Sequence, residues 1–225
     1  MPPVQIAVLA SGRGSNLQAL LDALDTGDAP GSVALVISNR EDAGALDLAR
    51  GRNIAAATIG RDGTDAPALI SLLRTHDIGL VVLAGYLKRV PDAVVIAWRG
   101  RVLNIHPALL PAFGGAGMYG RRVHEAVLAS GVRLTGATVH VVDEQYDHGP
   151  IVAQWPVPVR HGDTPEALAA RVLALEHQLL PAAVKAACRH IARYAEPPRP
   201  LAAANEAFVL ASSIQTDFDH ALIPA

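Results

Sequence analysis

The sequence predicts an α/β protein built on a Rossmann-like, mostly parallel twisted sheet with helices on both faces. Short runs rich in Val, Ile and Leu alternate with longer stretches of helical period, which is typical of a parallel sheet covered by helices. In the C-terminal half, polar and apolar residues partly alternate, which indicates a mixed or antiparallel edge. Because 51% of the 225 residues are hydrophobic, the chain can bury one sizeable core.

The elements can be placed in chain order. Strands are predicted at 6–10, 33–38, 80–84 and 102–105, with helices between them at about 16–25, 43–51, 66–76 and 91–98. After a Gly-rich loop at 113–120, a short helix is expected at 121–130, followed by strands at 135–142 and 151–159. A long helix capped by Asp163 or Thr164 then runs towards His190, with a kink at Pro181. We expect one domain over residues 1–190 and a C-terminal tail over 191–225.

Composition limits the classes of partner. Nineteen Lys and Arg against 21 Asp and Glu give a net charge of -2, which disfavours nucleic acid. The single cysteine, Cys188, cannot form an intrachain disulfide, as expected for a reducing cytoplasm. No apolar run approaches the roughly 20 residues of a membrane span, and the N-terminus lacks a basic signal region. We therefore expect a cytoplasmic monomer or homodimer that acts on small molecules.

A Gly-rich turn follows the first predicted strand. The segment Ser-Gly-Arg-Gly-Ser-Asn, residues 11–16, can direct several backbone N–H groups at one point, with Ser15 or Asn16 as helix cap. Gly14 allows the positive φ that such a turn needs. This pattern favours an anion, although a tight turn without ligand remains an alternative. Neither a dinucleotide fingerprint nor a Walker motif is present, since Leu17 stands where the third glycine would be.

Asn104 and His106 lie two residues apart at the end of a predicted strand, so both side chains project to the same side of the sheet. A carboxamide donor beside an imidazole suits stabilisation of the oxyanion formed when a nucleophile attacks an acyl carbon. Asp147, in a turn between two strands, is a candidate to bias the protonation of His106. A capping Asn, a core His and a turn-forming Asp are the alternatives. No metal-ligand spacing is present, so no metal is predicted.

Four motifs in this order resemble the folate-dependent formyltransferase family over about residues 4–190. The motifs are Leu-Ala-Ser-Gly-Arg-Gly-Ser-Asn at 9–16, Leu-Ala-Gly-Tyr at 83–86, Leu-Asn-Ile-His-Pro-Ala-Leu-Leu-Pro at 103–111 and Asp-His-Gly-Pro at 147–150. The first of them is similar to the phosphate loop of the nucleotide-binding branch of the family. The resemblance implies the formyltransferase fold, with phosphate bound by the N-terminal half and folate by the C-terminal half.

The activity that the resemblance implies is formyl transfer from 10-formyltetrahydrofolate, as cosubstrate, to the primary amine of glycinamide ribonucleotide in purine (IMP) biosynthesis. Asn104 and His106 would stabilise the tetrahedral intermediate, with His106 as its acid, and Asp147 would tune His106 and assist proton removal from the amine. The remaining roles carried over by resemblance are phosphate binding by Gly14, Ser15 and Asn16, ribose binding by Glu176, and folate binding by Leu87, Lys88, Arg89, Val90, Asn104, Val142, Asp143 and Asp147. Without the resemblance, Glu176 on a helix would be interpreted as a solvated surface charge.

The chain also departs from the family pattern. Ala108 replaces the usual Ser, His148 replaces a common Gly, and the loop at 113–122 is longer than the family's mobile lid. Arg61 is left outside the predicted site because the alignment there is gapped. The rival functions are a formyltetrahydrofolate hydrolase, a methionyl-tRNA formyltransferase, a sugar-nucleotide formyltransferase and a non-catalytic phosphate sensor. The first of these usually carries a preceding regulatory domain, and the second needs a C-terminal barrel for which residues 190–225 are too short.

Overall fold

The computed structural model describes residues 2–195, which form a seven-stranded sheet covered by six helices. The strands are β1 (Val4–Leu9), β2 (Gly31–Ser38), β3 (Ala55–Thr58), β4 (Leu80–Leu83), β5 (Val102–His106), β6 (Leu134–Val141) and β7 (Ile151–Pro158). The helices are α1 (Ser15–Leu24), α2 (Gly44–Gly51), α3 (Ala66–Thr75), α4 (Asp92–Ala97), α5 (Arg121–Ser130) and α6 (Pro165–Tyr194). The predicted succession is confirmed, with β3 as an additional strand.

Strand order fixes where a ligand can enter. The order is β3-β2-β1-β4-β5-β6-β7, and the first five strands of the chain pair in parallel. The chain moves from β1 to one side for β2 and β3, then returns to the other side of β1 for β4. At such a reversal the loops after neighbouring strands leave in opposite directions and open a crevice at the strands' carboxyl ends.

The predicted mixed edge is formed by β6 and β7. β6 pairs antiparallel with β5, and β7 pairs antiparallel with β6. The register places Asn104 opposite His140 and His106 opposite Thr138. Antiparallel pairing therefore brings side chains of β6 to the same end of the sheet as the polar pair on β5.

Two apolar clusters cover the two faces of the sheet. The larger one joins α1, α2, α5 and α6 to the sheet, and includes Leu20, Val36, Leu103 and Val184. The smaller one joins α3 and α4 to the opposite face. Successive side chains of a strand point to opposite faces, and Val8 belongs to the larger cluster while Leu9 belongs to the smaller. Helices on both faces, as predicted, bury both sides of the central strands.

The start of α1 differs from the prediction. Gly14, in the left-handed region with φ 87°, is the N-cap residue, and no side chain caps the helix. Ser15 is instead the first helical residue, and the Asn16 side chain reaches across to α6. The prediction that Ser15 or Asn16 caps α1 is therefore wrong, and the N–H groups of the first turn stay free of side-chain acceptors.

The long helix α6 begins as predicted at Thr164, whose hydroxyl accepts a hydrogen bond from Ala167 N at 3.2 Å. Asp163, the alternative cap, instead forms an ion pair with Arg171 at 2.7 Å. The helix continues through Pro181 to Tyr194. By length and composition it could cross a membrane, but half of its most apolar window is buried inside the protein, as in a core helix. The predicted tail lies outside the described residues from 196 onward.

We expect Leu20→Ala to destabilise the fold by about 2 to 5 kcal/mol, because the side chain is fully buried between α1 and the sheet and its removal leaves a cavity. The matched control is Ile96→Ala, which removes an aliphatic side chain that is 55% exposed on α4 and should change stability by less than about 0.5 kcal/mol. Urea unfolding of both variants measures the difference. Equal effects of the two substitutions would contradict the assigned core.

Candidate active site

A single cavity of about 640 Å³ lies at the carboxyl ends of β1, β4 and β5. This volume is within the usual range for small-molecule sites. Its lining includes every residue that was predicted for the site: Gly14, Ser15, Asn16, Leu87, Lys88, Arg89, Val90, Asn104, His106, Val142, Asp143, Asp147 and Glu176. Arg61 is not among the lining residues. Residues that are 162 positions apart in the chain therefore share one crevice.

The Gly-rich turn forms one end of the cavity. At Gly14, with φ 87°, an added Cβ would lie 2.9 Å from Cα of Ala45, so both conformation and packing require glycine there. The first N–H groups of a helix have no intrahelical partner, and here no side chain accepts from them. Their positive partial charges and the helix dipole favour an anion. This geometry agrees with a phosphate site.

Ser11 links this turn to the next loop along the sheet. Its hydroxyl donates to Asn39 Oδ1 at 2.7 Å and accepts from the Leu87 N–H at 2.9 Å. Its own N–H donates to the Gly85 carbonyl at 3.1 Å. The side-chain bond to Asn39 is buried, so it is protected from competition with water. The loops after β1 and β4 are thus held against each other.

Asn104, His106, His140 and Asp147 form a polar cluster in the middle of the cavity. Asn104 Nδ2 lies 3.0 Å from His140 Nε2, and His140 Nδ1 lies 3.0 Å from the carbonyl of Val141. His106 Nδ1 lies 3.5 Å from Asp147 Oδ2, and His140 Nε2 lies 3.6 Å from Asp147 Oδ1. The aspartate predicted from a distant turn therefore sits between the two imidazoles.

The loop at 113–120 closes over this cluster. His106 Nε2 lies 2.9 Å from the carbonyl of Phe113, so this nitrogen donates, and the Gly115 N–H donates to Asp147 Oδ2 at 2.9 Å. An added Cβ on Gly114 would lie 3.2 Å from Cβ of Asp147, which shows how closely the loop approaches the aspartate. The loop backbone thus supplies partners to both catalytic candidates.

Burial and charge set the ionisation of this pair. Burial lowers the pKa of His106 below its ordinary value, although the carboxylate of Asp147 and the Phe113 carbonyl act in the opposite direction. For Asp147, burial raises the pKa, but the imidazoles of His140 and His106 and the Gly115 N–H together bring it below its ordinary value. At neutral pH, Asp147 is therefore a carboxylate and His106 is mostly a neutral imidazole.

Glu176 is a correction to the interpretation as a surface charge. It is 7% exposed on α6, and its Oε2 accepts a hydrogen bond from Asn16 Nδ2 at 2.7 Å. Burial raises its pKa to about 7, while the bond from Asn16 acts in the opposite direction. The Oδ1 atom of Asn16 is buried without a partner among the described residues. The Gly-rich turn and α6 thus meet at a polar pair that lines the cavity.

The other end of the cavity is more open. Leu87, Lys88 and Arg89 are exposed, and the Leu87 side chain is 52% exposed. Arg89 donates to the carbonyl of Glu144 at 2.8 Å, which ties the loop after β4 to the turn before β7. This end of the cavity combines apolar surface from Leu87 with the positive charge of Lys88 and Arg89. All of the predicted folate-binding residues line the cavity.

Two histidines at this site were not predicted as functional. His140 and His124 are 2% and 4% exposed, and both line the cavity. The position of His140 beside Asn104 follows only from the pairing of β6 with β5, because α5 and two loops separate these strands in the sequence. Among the residues that the structure describes, no group of three or more His, Cys, Asp or Glu side chains is arranged to hold a metal ion.

Comparison with known proteins gives a consistent result. Residues 4–184 match the family described as formyl transferase. A chloroplastic phosphoribosylglycinamide formyltransferase of Arabidopsis thaliana is 43% identical over 203 residues, which cover 88% of this chain and 70% of that protein. A phosphoribosylglycinamide formyltransferase of Mycobacterium tuberculosis is 43% identical over 84% of this chain and 86% of its own length. The crystal structure of the enzyme of that name from Anaplasma phagocytophilum superposes with a TM-score of 0.76 at 39% identity, and the match covers 81% of this chain and 85% of that one.

We expect Glu176→Gln to remove a pH dependence of stability. The pKa of Glu176 is about 7 in the fold and about 4.3 in an unfolded chain, so the unfolded state releases this proton first as pH rises. The wild type should therefore lose about 2 to 3 kcal/mol of unfolding free energy through this group between about pH 5 and pH 8, whereas the variant should not. Urea unfolding at both pH values gives the difference. If the difference in unfolding free energy between the wild type and the variant were the same at both pH values, Glu176 would be ionised in the fold.

Proposed function

The chain belongs to the formyl transferase family, and we propose that it transfers the formyl group of 10-formyltetrahydrofolate to the primary amine of glycinamide ribonucleotide. The products are formylglycinamide ribonucleotide and tetrahydrofolate, in purine biosynthesis. The observation that carries this proposal is the meeting of Asn104, His106 and Asp147 between the Gly-rich turn and the open end of the cavity. Such a site suits acyl transfer between two bound molecules, one of which is phosphorylated.

The acceptor is assigned to the N-terminal half of the chain. Gly14, Ser15 and Asn16 would bind its phosphate through the first N–H groups of α1. Glu176, held next to Asn16, would meet the ribose hydroxyls, because a neutral carboxyl can both donate and accept. A buried acceptor atom on Asn16 supports a polar ligand at this end.

The donor is assigned to the wall formed by the C-terminal half and the loop after β4. Leu87 to Val90 would line the folate pocket, and the backbone of residues 142–147, which includes Val142 and Asp143, would contact the pterin. The formyl carbon would then lie next to Asn104 and His106, between the two ends. The cosubstrate supplies the activated formyl group, and no metal takes part in the proposed reaction.

The cluster can perform three tasks in this reaction. Asn104 directs an N–H, and His106 directs its Nε2–H, towards the oxyanion that develops on the formyl oxygen. In the structure this Nε2–H donates to the Phe113 carbonyl at 2.9 Å, so the formyl oxygen would take the place of that carbonyl as its acceptor. Asp147 accepts a proton from the attacking amine through water and passes it to His106 Nδ1, which lies 3.5 Å from its Oδ2. His106 then gives its Nε2 proton to the tetrahydrofolate nitrogen as the bond from that nitrogen to the formyl carbon breaks, and the Asp147 carboxylate stabilises the transient imidazolium. Catalysis then comes from placing two reactants together and from stabilising charge.

An assay of purified protein with a 10-formyl folate analogue tests the proposal. Deformylated product should appear with glycinamide ribonucleotide and should be absent without it. Equal release in both cases would assign the chain to the hydrolases. No release in either case would contradict formyl transfer to this acceptor and favour a phosphate sensor or a different amine.

We expect Asp147→Asn and His106→Ala to lower kcat by about 100-fold or more, because each removes a group that moves or stabilises the transferred proton. Asp77→Asn is a matched control for the first variant. Both aspartates have positive φ, 51° at Asp147 and 49° at Asp77, but Asp77 is exposed and is not among the cavity-lining residues. The control should keep wild-type kcat. Normal turnover by either site variant, with the fold intact by circular dichroism, would remove the role assigned to that residue.

A further inference from the structure

We infer that His140 is a positioning residue for this reaction: its imidazole holds the Asn104 carboxamide with an N–H directed at the reacting carbonyl. This inference rests on the proposed function. It concerns a residue on β6 that faces Asn104 across the antiparallel β5–β6 pair. The His140 side chain is 2% exposed, so its ring nitrogens have protein partners in place of bulk water.

The ring nitrogens of His140 have different partners, and these fix the tautomer. Nδ1 lies 3.0 Å from the carbonyl oxygen of Val141, which can only accept a hydrogen bond. Nδ1 therefore carries the proton. In the neutral ring Nε2 then has a lone pair, and its partner at 3.0 Å must be a donor, which identifies the nearby atom of Asn104 as its amide nitrogen.

The orientation of the amide decides what Asn104 offers to a substrate. With Nδ2 bound to His140, one N–H is used and the second N–H remains to stabilise an oxyanion. If the amide turned by 180°, Oδ1 would take the place of Nδ2 and would face the lone pair of His140, which is unfavourable. His140 therefore selects the amide orientation that makes Asn104 a donor.

Asp147 is the neighbour that would favour the alternative tautomer, but it lies too far away to decide it. Its Oδ1 lies 3.6 Å from His140 Nε2, beyond the distance of a normal hydrogen bond. A proton on Nε2 would be attracted to this carboxylate and would leave Asn104 Nδ2 facing another donor. The Val141 carbonyl opposes that state, because its lone pairs would then face an unprotonated Nδ1. The backbone of β6 thus keeps Nε2 available to Asn104.

Two substitutions test the roles of the two ring nitrogens of His140 separately. His140→Asn places an amide N–H where Nδ1 was, and so keeps the bond to Val141 while it removes the acceptor for Asn104. His140→Gln places an amide oxygen near the position of Nε2, and so keeps that acceptor. If His140 acts through Asn104, the Asn variant should lose about 10-fold to 100-fold in kcat with little change in either KM, since loss of a whole oxyanion donor costs about 10²- to 10³-fold. The Gln variant should stay within about threefold of wild type.

A double-mutant cycle distinguishes a positioning role of His140 from a merely structural one. In an Asn104→Ala background, His140→Asn should lower kcat by less than about twofold, because the group that it positions is gone. The inference is overturned if His140→Asn keeps wild-type kcat, if the Gln variant loses as much as the Asn variant, or if the loss persists in the Asn104→Ala background. Thermal unfolding of each variant identifies any that does not fold.

A measurement on the wild type needs no variant. ¹⁵N NMR of the protein labelled at its histidine rings should show His140 as the Nδ1–H tautomer, with Nε2 unprotonated, at pH 7.5. An Nε2–H tautomer or an imidazolium would overturn the inference. If the wild type fails to transfer formyl groups, the proposed function fails by itself, and the tautomer is still tested independently.

Discussion

The reversal of strand order at β1 is the constraint on which the site depends. Because β2 lies on one side of β1 and β4 on the other, the loops that follow β1 and β4 diverge and leave a crevice at their carboxyl ends. The Gly-rich turn comes from the first of these strands and the exposed segment 87–89 from the second. β5 then adds Asn104 and His106 at the same edge. Antiparallel β6 returns to that edge, and it brings His140 and the turn that carries Asp147.

The cavity contains two buried carboxyl groups whose pKa values move in opposite directions. Asp147 has two imidazoles and a backbone N–H around it, and these partners outweigh its burial. Glu176 has one side-chain donor, Asn16, and there burial prevails. Glu176 is also the more deeply buried of the two, so that deeper burial and weaker compensation both raise its pKa relative to the pKa of Asp147. Pairs of titratable groups separated in this way commonly mark the division of chemical roles in an active site.

Much of the architecture could be predicted from sequence because hydrophobic periodicity and turn chemistry are local. The βαβ succession and the antiparallel edge were visible in short windows and are confirmed in the structure, and the comparisons confirm membership of the family. Asn104 and His106 lie on β5 as expected, and their catalytic role stays a prediction. β3 was missed because its residues, Ala-Ala-Ala-Thr, lack the β-branched run that marks a buried strand. The burial of Glu176 and the partner of His140 depend on packing between distant segments, which no short window contains.

The cap of α1 shows how backbone geometry can override a local preference. A serine or asparagine at the helix start usually accepts from the first turn, but here Gly14 takes the cap position and leaves those N–H groups without a side-chain cap. The left-handed backbone and the contact with Ala45 leave no room for a side chain at this point. Ser15 and Asn16, which were expected to cap the helix, follow the cap position, and the Asn16 side chain forms a hydrogen bond with Glu176.

Ser11 limits which parts of the site can change in sequence. Its one hydroxyl joins the loop after β1 to the loop after β4, so the relative position of these two loops depends on this side chain and on the sheet that carries both loops. The covering loop at 113–120 contacts the polar cluster through two backbone groups, the Phe113 carbonyl and the Gly115 N–H. A change of side chain at Phe113 keeps that carbonyl, whereas the link from Ser11 to Leu87 is made by a hydroxyl group. The contacts of the covering loop therefore tolerate substitution in a way that Ser11 does not.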